Sequence, residues 1–170
     1  MNMSIPLGWK AIALVALALS MASCARDPNA GDLAGGGLNG AGVGAAAPGS
    51  VQEFNASVGD RVFFDSDSSE LSGAATATLD KQAQWLAQYP SYSFTVEGHA
   101  DERGTREYNF ALGQRRAETV KAYLVAKGLG AQRMKTISYG KERPVAVCDD
   151  ISCWSQNRRV VTVLAGAPGS

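Results

Sequence analysis

The sequence predicts an α+β domain: a small mixed sheet with two main helices packed on it, a βαβαβ-type two-layer sandwich, preceded by a disordered tether. Three observations predict it. Apolar residues recur at helical spacing over residues 72–89 and 105–128 and alternate at strand spacing over residues 92–98, whereas residues 26–50 carry almost no apolar bulk. A chain of 170 residues suffices for one domain with a real core once its non-folding parts are set aside.

Residues 1–23 read as a secretory signal, with a polar start ending at Lys10, an apolar run from Ala11 to Leu19, and small residues before Cys24. That run is too short to span a bilayer comfortably. Met21-Ala22-Ser23-Cys24 resembles the lipobox of bacterial lipoproteins, in which the cysteine becomes the new N-terminus and carries acyl chains. Two or more chains anchor stably where one is marginal. By the same resemblance, Ala25 in place of Asp favours sorting to the outer membrane. Residues 24–50 form the lipidated N-terminus and a Gly/Ala-rich linker, which cannot bury enough surface to offset its ordering entropy. As a coil it reaches roughly 25 to 30 Å, and about 85 Å when stretched.

The folded domain is expected over residues 51–170. Arg61-Val62-Phe63-Phe64 is a short strand candidate, and Asp65 to Ser72 is a turn whose side chains bond their own backbone. Asp65, Asp67 and Ser69 copy the opening of a calcium loop, but its glycine is missing and Thr76 stands where a glutamate is required, so calcium is not expected. Ser72 caps a helix to about Tyr89, with Ala75, Leu79, Ala83 and Leu86 on one face and Pro90 ending it. Tyr92, Phe94 and Val96 face inward on the next strand. The second helix starts at its N-cap Thr105 and ends at Gly128, and Met134–Tyr139 and Arg159–Leu164 complete the strands.

Sixteen basic and sixteen acidic residues cancel, so no basic field calls for nucleic acid. With Cys24 carrying lipid, Cys148 and Cys153 remain as a pair. In an oxidising compartment they read as a disulfide, and without a second Cys or His cluster they fall short of a zinc site.

The polar turn from Gly98 to Thr105, at the opening of the second helix, is the candidate site. On a wheel of 100° per residue with Leu112 at zero, Arg116 falls at about 40°, Asn109 at about 60° and Thr105 at about 20°. Arg116 therefore lies inside the apolar stripe, while Arg115 points to its edge. A desolvated guanidinium needs an anionic partner, either Asp101 or the carboxylate of a ligand. A zwitterion offering its carboxylate to Arg116 and its ammonium to Asp101 satisfies both, the signature of an amino-acid site. On this reading, alanine at Asp101 or Arg116 abolishes binding and spares the fold. His99, the one histidine, could serve a hydrolase as a base with Glu97, Asp101 or Glu102. Without a nucleophile or a second metal ligand it reads instead as an imidazole bonding the turn backbone.

Gly98-His99-Ala100-Asp101-Glu102-Arg103-Gly104-Thr105, with Asn109 and Arg115-Arg116-Ala117, resembles the peptidoglycan-binding motif of the outer-membrane protein A C-terminal family. Phe64-Asp65, the run Ser138 to Pro144 and the run Cys148 to Val160 extend the resemblance over roughly Arg61 to Leu164. It implies a non-enzymatic module, without cofactor or metal, that binds the meso-diaminopimelate of peptidoglycan and tethers the outer membrane to the cell wall. Asp101 and Arg116 would hold the zwitterion, and Phe64, Asp65, Thr105, Asn109 and Leu112 would line the pocket. It further implies a partner, the periplasmic TolB propeller, competing for an overlapping face, and a place in the Tol envelope system acting in division.

Overall fold

The computed structural model describes residues 46–165. The signal segment, Cys24 and the tether as far as residue 45 lie outside the described residues. No helix among the described residues is long and apolar enough to cross a membrane.

Four strands form one sheet in the order β1-β4-β2-β3, where β1 is Arg61–Phe63, β2 Ser93–His99, β3 Met134–Gly140 and β4 Arg159–Ala165. Strands β4 and β2 are central, and β1 and β3 form the edges. Strand β4 runs antiparallel to β1 (Val62 opposite Val160) and to β2 (Val96 opposite Thr162), whereas β2 and β3 are parallel, with Phe94 opposite Met134. A parallel neighbour requires a crossover, and the 21-residue helix α3, Arg106–Ala126, supplies it.

The alternation read in β2 holds, since Tyr92, Phe94 and Val96 are all buried. They meet Leu79, Ala83 and Leu86 of α2 (Gly73–Gln88) and Val120 and Leu124 of α3 in a single core. Caps fall where the side chains predict them. The Ser72 hydroxyl accepts from the Ala75 N–H at 3.2 Å, the Thr105 hydroxyl accepts from the Tyr108 N–H at 3.2 Å, and Gly128 takes φ of +95° just past the end of α3. The opposite sheet face, with Phe63, Ile137 and Val163, is exposed.

Two helical segments were not expected from the sequence. Val51–Glu53 (α1) runs on as a π-helical stretch, Phe54–Gly59, whose only fully buried side chain is Phe54 against Trp85. Val51 and Val58 pack beside it only partly buried, and three such apolar residues over so short a span are too few to announce a helix. Contacts also extend the fold back past Val51, because Tyr92 Oη donates to the Gly49 carbonyl at 2.8 Å and Glu53 accepts from both Gly49 N–H and Trp85 Nε1. The other segment is α4, Ile151–Asn157, capped by Asp150 and tied by a disulfide between Cys148 and Cys153.

Where β2 meets α3, two glycines bring backbones into contact. A Cβ on Gly98 would overlap the Gly113 carbonyl, and one on Gly113 would overlap the Ser138 hydroxyl. This close approach sets α3 against the end of β2 and so places the Gly98 turn beside the first turns of α3. Gly98→Ala is expected to cost about 3 kcal/mol or more through overpacking of rigid backbone, read as a lower urea midpoint.

Candidate functional site: the Arg116 cleft

Three segments converge at the end of β2. The turn after His99 supplies Asp101 and Arg103, the first turns of α3 supply Tyr108, Asn109, Leu112 and Arg116, and the loop after β1 supplies Ser66 and Asp67. Together they line a cleft of about 220 Å³.

Arg116 is fully buried, as the wheel required, but its partners differ from those expected. No Arg116 to Asp101 ion pair forms. Instead Nε donates to the Ser68 carbonyl at 2.7 Å, Nη1 to the His99 carbonyl at 2.9 Å and Nη2 to the Asp65 carbonyl at 2.9 Å. The physical reason is geometric: a planar fork can satisfy several diverging carbonyls of a turn and a loop, so it needs no carboxylate to be tolerated inside. Those three bonds leave one N–H on each terminal nitrogen for a further acceptor. Burial, then the like charge of Arg158, lowers its pKa to about 10, so it remains a cation at neutral pH. The expectation that Arg116 can be removed without harm to the fold is therefore corrected: it staples the loop after β1 to the turn after β2.

Asp101 is engaged by two other arginines. Arg103 grips both of its oxygens (Nη2 to Oδ2 2.7 Å, Nε to Oδ1 3.2 Å), its backbone N–H also donates to Oδ1, and Arg158 Nη1 approaches Oδ2 at 3.3 Å. Burial pushes the carboxyl pKa upward, and the Arg103 and Arg158 hydrogen bonds outweigh it, holding Asp101 below the ordinary carboxylate value. Asp101→Ala would leave Arg158, itself buried, without its counter-ion, so this substitution also carries a structural cost.

The remaining expected residues divide. Asn109 and Leu112 line the cleft, and Asn109 Nδ2 donates to the Arg103 carbonyl at 2.6 Å, shaping the turn. Phe64 is buried behind the cleft, its ring centroid 5.2 Å from the Arg116 guanidinium carbon. Asp65 offers Arg116 its carbonyl and lines an adjoining groove rather than the cleft. Thr105 is not among the cleft's lining residues and acts as the N-cap of α3. Among residues the sequence reading did not single out, Arg103 could have been found from its place two residues after Asp101. Tyr108, bonded through its hydroxyl to the Asp67 carboxylate, and Arg158, arriving from the end of α4, carry no local signal.

His99 is corrected as well. It is 2% exposed and does not line the cleft, and neither ring nitrogen has a hydrogen-bond partner among the described residues. It does not bond the turn backbone. Its ring lies 5.6 Å from that of Tyr139, and Glu97 Oε2 stands 4.0 Å from Nε2. Burial, with Arg159 and Arg143 adding repulsion, lowers its pKa to about 4. It is the backbone carbonyl of His99, facing Arg116, that serves the site.

Helix α4 supports the turn from outside. The Arg103 guanidinium carbon lies 4.3 Å from the Trp154 ring centroid, Trp154 Nε1 bonds the Glu102 carboxylate, and Lys141 Nζ donates to the Glu102 and Gly104 carbonyls. Because the disulfide closes a short loop onto this helix, reduction is expected to cost about 2 kcal/mol. Trp154 emission should then shift at denaturant concentrations where the core remains folded.

Comparison with known proteins agrees with this architecture. The OmpA family profile matches residues 63–158. The chain is 64% identical over 157 residues to the peptidoglycan-associated lipoprotein of Rhizobium meliloti, covering 92% of this chain and 87% of that protein. The crystal structure of the peptidoglycan-associated lipoprotein from Burkholderia pseudomallei superposes with a TM-score of 0.63 at 42% identity, covering 65% of this chain and 96% of that one. The C-terminal domain of Helicobacter pylori MotB shares the fold alone, with a TM-score of 0.58 at 21% identity over 63% of this chain and 84% of that one. By the extent and identity of these matches, the chain belongs to the OmpA family and, within it, to the peptidoglycan-associated lipoproteins.

Proposed function

We propose that this chain is a lipid-anchored outer-membrane protein that binds peptidoglycan non-covalently, taking the zwitterionic end of meso-diaminopimelate into the Arg116 cleft. One observation carries the reading: the cleft sets cationic Arg103 and Arg116 beside anionic Asp67 and Asp101. These groups are satisfied by one another and by backbone in the structure, with Arg103 on Asp101 and Tyr108 on Asp67. A ligand bearing both an ammonium and a carboxylate can exchange for such partners without leaving any charge unpaired, whereas a simple anion or cation cannot. The ammonium takes a place on Asp101, and the carboxylate takes the remaining N–H groups of Arg116 together with the released Arg103. Phe64 and Asp65 act by holding Arg116, Thr105 by fixing the start of α3, and Asn109 and Leu112 by forming the wall.

In this reading the protein tethers the outer membrane to the wall through an acylated Cys24. As a member of the Tol-Pal system in division and envelope integrity, it meets TolB on a face overlapping the cleft. The domain acts by binding and not by hydrolysis, since His99 is buried and lies outside the cleft. Co-sedimentation with purified peptidoglycan tests the binding, with free meso-diaminopimelate as competitor. Dose-dependent release into the supernatant is expected, and sedimentation indifferent to the competitor would refute the assignment of the ligand.

A further inference from the structure

Helix α4 has little of its own to hold it. It has seven residues, fewer than an isolated helix needs, and of these only Cys153 and Asn157 are buried. Its C-terminal end is fixed by Asn157, whose Oδ1 accepts from the Val145 and Ala146 N–H groups at 2.9 and 3.2 Å and whose Nδ2 donates to the Ala146 carbonyl at 2.8 Å. The N-terminal half has no such anchor. Val147 and Ile151 are exposed, so the first turn is kept helical by the Asp150 cap, which accepts from the Ser152 N–H at 2.7 Å, and by the disulfide from Cys148 to Cys153.

The residue after Cys153 is Trp154, which rests against the turn that lines the cleft. The Arg103 guanidinium carbon lies 4.3 Å from its ring centroid, and its Nε1 bonds the Glu102 carboxylate. Arg103 in turn holds Asp101 and donates to the Ser66 hydroxyl at 2.8 Å, so one guanidinium joins the turn after β2 to the loop after β1. The disulfide thus stands next in sequence to the indole that carries a cleft cation. Contact with the ring is indifferent to which carboxylate Arg103 grips, so it persists when the guanidinium exchanges Asp101 for a ligand.

The bond is within reach of a reductant, because Cys148 is half-buried between exposed Val147 and Asp149. A dithiol attacks the Cys148 sulfur as a thiolate, and Cys153 leaves as a thiolate and takes up a proton. The second thiol then displaces Cys148 from the mixed disulfide. Two cysteine thiols result, and the dithiol becomes a disulfide.

We propose that the Cys148–Cys153 bond is a redox control on wall binding: closed, it presents Trp154 as the platform that positions Arg103 at the cleft, and opened by a dithiol, it frees Trp154 and weakens the site. The inference rests on the reading of the Arg116 cleft as the wall site. Trp154 is a positioning residue, since it acts on the ligand through Arg103.

Calorimetric titration of the full chain in detergent with the tetrapeptide L-Ala-D-Glu-meso-diaminopimelate-D-Ala tests it, before and after reduction with dithiothreitol. Reduction is expected to weaken binding about tenfold, with the far-UV circular dichroism of the domain retained. Cys148→Ser with Cys153→Ser should reproduce the reduced affinity with or without dithiothreitol. Trp154→Ala should bind about as weakly as the reduced parent and lose its response to reduction, whereas Trp154→Phe, which keeps a ring face, should retain part of that response. By linkage, saturating tetrapeptide should lower the reduction potential of the bond by about 30 mV, the same tenfold. Equal affinity of the oxidised and reduced chains would overturn the control and leave the wall reading standing. Unfolding of the whole domain on reduction would overturn it too, and a tenfold loss that persists in Trp154→Ala would overturn Trp154 as its transmitter. Failure of the oxidised chain to bind the tetrapeptide would overturn the wall reading, and this inference with it.

Discussion

Arg116→Ala is expected to lower the unfolding free energy by about 3 to 5 kcal/mol and to abolish wall binding. The three carbonyls that Arg116 satisfies belong to Asp65, Ser68 and His99, in two segments that Arg103 also links through the Ser66 hydroxyl at 2.8 Å. Without the guanidinium they are left facing a void beside Phe64. Urea unfolding measures the loss through its midpoint. Arg116→Lys separates the roles: the ammonium keeps the charge and can reach one or two carbonyls, so it should recover part of the stability. It lacks the fork that grips a carboxylate in two places, so binding should stay at least about tenfold weaker. A lysine variant that binds the wall normally would show that Arg116 is structural only.

His99→Phe is expected to make the domain more resistant to acid. The folded-state pKa of His99, about 4, lies below its ordinary value of 6.5, so the unfolded chain binds the proton more readily. The stability this neutral histidine permits is therefore complete above about pH 6.5 and falls as pH drops through the window to 4, by about 3 kcal/mol in all. A phenylalanine occupies similar space beside Tyr139 and removes two buried nitrogens that have no partners among the described residues. Thermal unfolding from pH 7 to pH 4 should show the variant at least as stable as the parent at neutrality, with a shallower decline. Below that window both proteins lose the stability held by the depressed carboxyl of Asp101, which disappears as pH falls through its folded pKa. Parallel pH profiles for the two proteins would contradict the assignment of the window to His99.

These two residues also show what could be read without coordinates. Position on the helix was legible: the wheel put Arg116 in the apolar stripe, and it is fully buried. Partnership was not, because its partners are backbone carbonyls of residues 48 and 51 positions away in sequence, which leave no mark in side-chain identity. His99 illustrates the same limit. Its strand and its turn were evident, yet which way its ring faces depends on the register of β2 against β3, which shifts between Gly98 and His99. The strands, the two long helices and their caps followed from periodicity and from short-range chemistry at Ser72, Thr105 and Gly128. Helix α4 did not, since its seven residues are held by a disulfide, a cap and Trp154 and only Cys153 and Asn157 are buried. The Asp101 to Arg158 pair, joining the site to that helix, was hidden for the same reason.

The central claim is that the cleft selects a zwitterion. Fluorescence or calorimetric titration of the protein with two stem tetrapeptides, identical except for meso-diaminopimelate or L-lysine at the third position, tests it most directly. The lysine peptide keeps the side-chain amine but lacks the adjacent carboxylate that Arg116 and Arg103 would hold. Saturable binding of the diaminopimelate peptide, with the lysine peptide weaker by about a hundredfold, is the expected result. Equal affinity for the two peptides would contradict it.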